Sequence, residues 1–330
     1  MAPFNNLLSF GINLEIVFES LVPIISLTRQ IKMSIEVKKI LKKYKISPSK
    51  GLGQNFLADK RVLRKIVTTA ELKPDDIVLE IGPGPGNLTL ELAKRVKRVV
   101  AIEKDPKMVE ILKNVIDEQG IQNVQIIQDD VLKIKNWKFN RNLKFKIKNY
   151  KVVANLPYYI ASPIIRYFLE AVDVKPQQMI LMVQKEVAQR ICAKPPNMTH
   201  STSSGSSRAS RGMSILAVSV QFYAKPEIIS YVSKKAFWPS SKVDSAIIKI
   251  VPILQGSDPC KINKDLFFQI LKMGFSHPRK QLLNNLSQGL KLNREEIMPW
   301  LLKNNIQPTQ RAETLSIEDW LNLVKSSKIE

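Results

Sequence analysis

From about Asp76 onward, short runs rich in β-branched residues alternate with stretches whose apolar residues recur at helical spacing. DIVLEIG (76–82) reads as a first strand, and Leu88, Leu92 and Val96 then repeat with the period of a helix face. RVVAIEKD (98–105) predicts a second strand, followed by a helix from Pro106 to about Gln119. NVQIIQDD (123–130) is a third strand and KVVANLP (151–157) a fourth. A helix near 162–172 and a strand at QMILMVQK (178–185) continue the alternation. LAVSVQFYA (216–224) and SAIIKIVPI (245–253) read as two late strands. Such alternation predicts an α/β fold with a parallel sheet and helices on both faces. The two late strands in succession predict an antiparallel hairpin at one edge. After Pro252 the strand signals stop. Helical patterns such as LFFQILKMGF then predict a small separate helical domain, joined by the turn-rich QGSDP (255–259).

Two segments stand apart from this plan. Residues 1–33 carry an apolar patch, LVPIISL, preceded by Glu15 and Glu19, which matches neither a secretory signal nor a transit peptide. Met33 opens MSIEVKKILKKYKI, a more natural start, so residues 1–33 read as an extension of unknown role. NMTHSTSSGSSRASRGM (197–213) is rich in Ser, Thr and Gly and reads as a flexible insertion; Arg208 and Arg211 leave an RNA contact open. The expected organisation is therefore a main domain over 34–254 and a helical domain over 255–330.

Composition changes the picture in one respect. Hydrophobic residues make up 44% and charged residues 24%, which is ordinary for a folded protein. Lys plus Arg, however, number 51 against 29 acids, a net charge of +22. That excess favours a polyanionic partner, most often nucleic acid. Two cysteines and two histidines offer no metal spacing and no disulfide framework, so a reduced, cytoplasmic setting without a catalytic metal is expected. No apolar run reaches the roughly 18 residues needed to span a bilayer, so no membrane partner is expected.

Candidate chemistry gathers at strand ends. EIGPGPGNL (80–88) follows the first strand and opens a helix, and Gly82, Gly84 and Gly86 permit a tight turn close to a ligand. The spacing is G-x-G-x-G, not the G-x-G-x-x-G of dinucleotide-binding folds, and no P-loop lysine follows. Glu103 ends the second strand, where a carboxylate can accept hydrogen bonds from ribose hydroxyls. Asp130 ends the third and can bond an adenine amino group. The plainer alternative is that both carboxylates cap the helices that follow. The fourth strand delivers Asn155-Leu156-Pro157-Tyr158-Tyr159 to the same rim. The Asn155 side-chain oxygen and the Leu156 carbonyl can together accept both hydrogens of an exocyclic amine. Pro157 fixes the turn and removes a competing donor, and Tyr158 offers a flat face on which a base can stack. A purine amine is a poor nucleophile because its lone pair is delocalised; two acceptors that favour a tetrahedral nitrogen would aim that lone pair at an electrophile.

These motifs carry a resemblance. GQNFL (53–57), EIGPGPG (80–86), NLPYY (155–159) and AFWPSSKVDSAI (236–247) occur in the order seen in ribosomal RNA adenine dimethyltransferases. FSHPRKQLLNNL (275–286) and RAETLSIEDW (311–320) resemble that family's helical tail. The likeness is nearest to the bacterial KsgA-type small-subunit enzymes and covers about residues 34–325. It implies a Rossmann-like class I methyltransferase sheet using S-adenosylmethionine, with a helical domain that recognises rRNA. By that likeness Asn55 and Leu57 would close over the cofactor with Gly82, Gly84 and Gly86. Glu103 would hold its ribose, Asp130 its adenine, and Asn155 the boundary with the target base. Asn155, Leu156 and Pro157 would form the catalytic turn, and Tyr158 and Phe237 would sandwich a flipped adenine. The implied reaction dimethylates N6 of two adjacent adenosines near the 3′ end of small-subunit (16S) rRNA in a late pre-30S particle, by a monomeric protein.

The family's F-x-P-x-P-K-V usually has a second proline where Ser241 stands here. An Erm-type enzyme acting on 23S rRNA shares the core, but the QNFL opening, KVDSA and the RAETLSIEDW tail favour the small-subunit type. A ribosome-assembly factor with secondary methylation is the remaining alternative. Lysines 38, 39, 42, 43, 45 and 50, and a second basic cluster over 133–148, flank the expected site and suit RNA phosphates.

Overall fold

The computed structural model describes residues 37–45, 48, 54–134, 149–196, 212–253 and 262–327. The expectations for residues 1–33, for nearly all of 197–213, for the basic run 135–148 and for QGSDP lie outside these residues.

The first elements are α1 (Val37–Lys43), β1 (Phe56–Leu57), α2 (Lys60–Thr69), β2 (Ile77–Ile81) and α3 (Asn87–Ala93). Next come β3 (Arg98–Glu103), α4 (Pro106–Glu118), β4 (Val124–Gln128), β5 (Lys151–Asn155) and α5 (Ala161–Arg166), the last continuing as a wider π turn to Ala171. Then follow β6 (Met179–Gln184), α6 (Lys185–Ile191), α7 (Ile215–Tyr223), β7 (Ala224–Val232), β8 (Phe237–Trp238) and β9 (Ser245–Pro252). Four helices close the chain: α8 (Lys264–Gly274), α9 (Leu282–Leu290), α10 (Arg294–Lys303) and α11 (Ile317–Lys325).

Seven strands form one sheet in the order β4-β3-β2-β5-β6-β9-β7. The pairs from β4 to β6 are parallel, and β9 runs antiparallel to both its neighbours. The chain steps outward from β2 to β3 to β4, then returns to place β5 on the other side of β2. That reversal opens a crevice at the carboxyl ends of β2 and β5, where such sheets bind ligands. The central strands are apolar on both faces, as a covered parallel sheet requires. Leu79, Val152 and Leu181 face Ile164, Ile165 and Phe168 on one side. Val78, Val153 and Ile180 face Leu63, Ile66 and Val67 of α2 on the other. Truncating one of these buried side chains to alanine costs about 2–5 kcal/mol. Helix starts are marked by the sequence: Asp59 accepts from the Arg61 N–H and Asp105 from the Lys107 N–H, with Pro106 at the first position of α4.

One expectation is overturned. LAVSVQFYA is helix α7, not a strand, and the outer arm of the antiparallel edge pair is AKPEIISYV, β7. The Ser214 hydroxyl accepts from the Ala217 N–H and starts the helix. Its Ala217, Val218 and Phe222 pack into the C-terminal helical core, while Val220 packs against the sheet core. A helix buried on two sides shows no polar stripe, so its apolar run is indistinguishable by periodicity from a buried strand. The true strand contains Pro226, which argues against a strand unless it lies at an edge, and β7 is an edge. The C-terminal core is built from Phe267, Leu271, Leu282, Leu286, Leu301 and Trp320, and Phe222 joins it with its ring 4.3 Å from that of Phe267.

Candidate active site

The glycine turn after β2 meets its neighbours at close range. Gly84 has φ +55°, and a Cβ there would lie 2.8 Å from Phe56 Cε1, so only glycine fits. Gly86 starts α3 with φ +94°, and a Cβ there would lie 2.6 Å from Leu112 Cδ1. The NLPY turn comes in on the other side of the loop, with Pro157 Cδ 3.8 Å from where a Gly82 Cβ would sit.

Between the two turns lies a cavity of about 320 Å³. Asn55, Gly82, Gly84, Glu103, Asp130, Asn155, Leu156, Pro157, Tyr158 and Phe237 all line it, so ten of the predicted positions converge. Two do not. Leu57 is buried in the core beside Phe237, and its carbonyl accepts from Asn87 Nδ2 at 3.2 Å. Gly86 is spent on helix α3 and on its approach to Leu112.

Glu103 accepts from three backbone N–H groups, those of Gly84 (3.2 Å), Lys104 (2.8 Å) and Asp105 (2.9 Å). These bonds fix the carboxylate across the glycine turn. Burial nonetheless raises its pKa above the usual carboxylate range, the three N–H donors opposing that rise. Asp130 caps the turn that follows β4, accepting from the Leu132 N–H, and pairs with Lys104 Nζ at 3.0 Å. It therefore both caps and lines the cavity. Asn155 donates from Nδ2 to the Asn55 carbonyl at 3.2 Å, which leaves Oδ1 as the acceptor end of the amide.

The aromatic residues are set by contacts distant in sequence. The Tyr158 hydroxyl sits between two serine hydroxyls, Ser241 Oγ at 3.0 Å and Ser245 Oγ at 2.7 Å. Ser241 also donates to the Val243 carbonyl at 2.9 Å. Where the family pattern has proline, this chain has a buried hydroxyl that holds the tyrosine. Phe237 stands in β8, which pairs antiparallel with β1 through Phe56↔Trp238 and Leu57↔Phe237. The segment carrying Asn55 and the segment carrying Phe237 thus form one ribbon, further tied by the Ala58 and Asp59 N–H groups to the Ala236 carbonyl. Gln54, whose Nε2 donates to Asp105 at 2.9 Å, and Tyr159, which is 59% exposed, also line the cavity; both lie within the GQNFL and NLPYY motifs, which assigned them no role.

Beneath the site Glu80 is 1% exposed, and its Oε2 has no hydrogen-bond partner. Burial pushes its pKa up to about 8, and the nearby Glu103 carboxylate adds to the rise. Among the described residues no cluster of three His, Cys, Asp or Glu could hold a metal, and no helix is long and apolar enough to cross a membrane.

A sequence model of ribosomal RNA adenine dimethylases matches residues 47–328. The chain belongs to that family. It is 40% identical over 293 residues to a ribosomal RNA small subunit methyltransferase A of Dehalococcoides mccartyi, covering 87% of this chain and 91% of the relative. Its fold resembles a dimethyladenosine transferase from Plasmodium falciparum, with a TM-score of 0.62 and 26% identity over 81% of this chain and 95% of that one. It also resembles the 23S rRNA methyltransferase ErmE, with a TM-score of 0.61 and 25% identity over 82% of this chain and 98% of that one.

Proposed function

We propose that this protein transfers methyl groups from S-adenosylmethionine to N6 of two adjacent adenosines near the 3′ end of small-subunit rRNA, giving N6,N6-dimethyladenosine. The substrate is the rRNA of a late small-subunit precursor, met by a monomer in the cytoplasm. The observation that carries the reading is the convergence of Glu103, Asp130, Asn155, Tyr158 and Phe237 on one cavity at the sheet's reversal point. That donor set suits the cofactor: carboxylates for ribose hydroxyls and an adenine amine, and a backbone turn kept open by Gly84 for close approach. When bound there, S-adenosylmethionine supplies an electrophilic methyl group.

The chain's own residues then do four things. Glu103, held by three N–H groups, keeps lone pairs for the ribose. In the first transfer Asn155 Oδ1 and the Leu156 carbonyl accept the two amine hydrogens and turn the nitrogen lone pair toward the methyl; in the second, one of them accepts the single hydrogen that remains. Tyr158 and Phe237 hold the adenine ring, which must leave its stack to react. Pro157 keeps a competing N–H out of the turn. No strong general base is needed, because alignment supplies the nucleophilicity and the methylated nitrogen, now cationic and acidic, loses its proton to water as S-adenosylhomocysteine departs.

Labelled methyl transfer to unmethylated small and large ribosomal subunits in parallel tests the reading. Label confined to small-subunit rRNA supports it. Label confined to the large subunit would make this an Erm-type enzyme instead. Tight small-subunit binding without label would make it an assembly factor.

A further inference from the structure

Strand β7 carries an irregularity that the site above does not use. Ile228 faces Ile248 of β9, but the next paired residue is Ser230, opposite Ile247, so β7 accommodates one extra residue. Beyond it Tyr231 faces Ala246 and Val232 faces Ser245. Side chains of a strand alternate between faces, and one inserted residue reverses the alternation from that point on. The reversal sends Val232 into the apolar cluster with Ala236, Phe237 and Ile247. It turns Tyr231 to the opposite face, where it is 54% exposed. A tyrosine serving the core looks different: Tyr150 is 2% exposed, with its hydroxyl on the Val174 carbonyl.

The surroundings of Tyr231 are basic. Lys185, the first residue of α6, holds its ammonium 5.1 Å from the centre of the Tyr231 ring. Lys234, Lys235 and Lys242, on the connection from β7 to β9, are exposed. The acids on the same segments are Glu186 and Asp244, and Asp244 is engaged by the Lys234 N–H. This patch lies on the same carboxyl-end rim as the catalytic turn. Asn155 pairs with Met182, Gln184 with Ser245, and Ser245 with Val232. Three strand steps separate β5 from β7, which sets Tyr231 roughly 14 Å along the rim from Asn155.

The geometry points to Tyr231 and Lys185 as a stacking platform for an unpaired nucleotide that flanks the methylated adenosines, with the RNA strand running along the rim from β5 to β7. This rests on the reading of the site as an rRNA methyltransferase and adds the path of its substrate. An aromatic face accepts any base, and the lysines around it neutralise phosphates without reading sequence. A run of a few unstacked nucleotides spans the distance between the two points.

Equilibrium binding to unmethylated small ribosomal subunits, and to their protein-free rRNA, tests the platform. Tyr231→Ala is expected to weaken both by on the order of tenfold, the worth of one stacked base. Tyr231→Phe keeps the ring and is expected to bind as the unaltered protein does. Lys185→Ala gives a smaller loss that vanishes at high salt. Melting temperature and calorimetric S-adenosylmethionine affinity are expected to stay unchanged in all three. Undiminished binding by Tyr231→Ala overturns the platform, as does an equal loss in Tyr231→Phe or a fall in cofactor affinity. A loss on whole subunits but not on protein-free rRNA overturns it in favour of a ribosomal-protein contact. Failure of the unaltered protein to bind either RNA overturns instead the functional reading beneath it.

Discussion

The two serine hydroxyls on Tyr158 allow a quantitative test of how the target base is held. Ser245 is fully buried and Ser241 is 4% exposed, so neither hydroxyl is replaced by bulk water when it is removed. Ser245→Ala deletes the 2.7 Å bond but leaves the phenol its partner at 3.0 Å. The loss is then that of one net hydrogen bond, about 1 kcal/mol. Deleting both hydroxyls leaves the phenol with neither serine partner, and the desolvation penalty rises to about 1–3 kcal/mol more. If that energy all goes into ring orientation, kcat falls roughly fivefold in the single variant and on the order of 50-fold or more in the double. The assay is single-turnover methylation, with calorimetric cofactor affinity as the control that is expected not to move. A double-mutant cycle with Tyr158→Phe isolates the effect, because without the phenol serine removal deletes only the bonds between Ser241 and Val243. The reasoning is refuted if the double variant keeps unaltered kcat, or if serine removal costs as much in the Tyr158→Phe background as in the unaltered one.

Three further outcomes are expected. Asn155→Ala abolishes methyl transfer while subunit binding in a filter assay stays near that of the unaltered protein; retained transfer removes the proposed acceptor role. Glu80, with a carboxyl raised from 4.5 to about 8 in the fold, keeps a proton there that the unfolded chain has lost. Its contribution therefore falls as pH rises through that window, by up to about 5 kcal/mol at 1.36 kcal/mol per unit. Glu80→Gln should flatten the decline of Tm between pH 5 and 8.5, and parallel curves would count against the burial argument. Lys151, 7% exposed, donates to the Ala70 and Glu71 carbonyls and pairs with Asp76 at 2.9 Å. Lys151→Met is expected to cost about 3 kcal/mol, seen as a lowered denaturant midpoint; an unchanged midpoint refutes it.

The parts of this protein legible in its sequence are those where local chemistry and position coincide. The glycine turn, the acidic ends of β3 and β4 and the NLPY turn each sit where a strand stops, so a strand pattern alone brought Gly84, Glu103, Asp130 and Asn155 to one rim. Helix α7 was unreadable because burial on two sides erases its period, and β7 because Pro226 disguises an edge strand. The hold on Tyr158 depends on residues 83 and 87 positions away, a contact that only the folded chain creates. Leu57 and Gly86 lie within true motifs, yet one packs into the core and the other against Leu112, which motif membership could not distinguish. The extra residue in β7 leaves no mark in composition at all.

The most direct measurement is the identity of the nucleoside that receives the methyl groups. Small-subunit rRNA treated with the protein and labelled S-adenosylmethionine would be digested and its nucleosides fragmented by mass spectrometry. The account requires N6,N6-dimethyladenosine at two adjacent positions near the 3′ end, and none after treatment with Asn155→Ala. Methylation at a ring nitrogen, on ribose, or at separated adenosines would contradict the placement of the amine between Asn155 and Leu156.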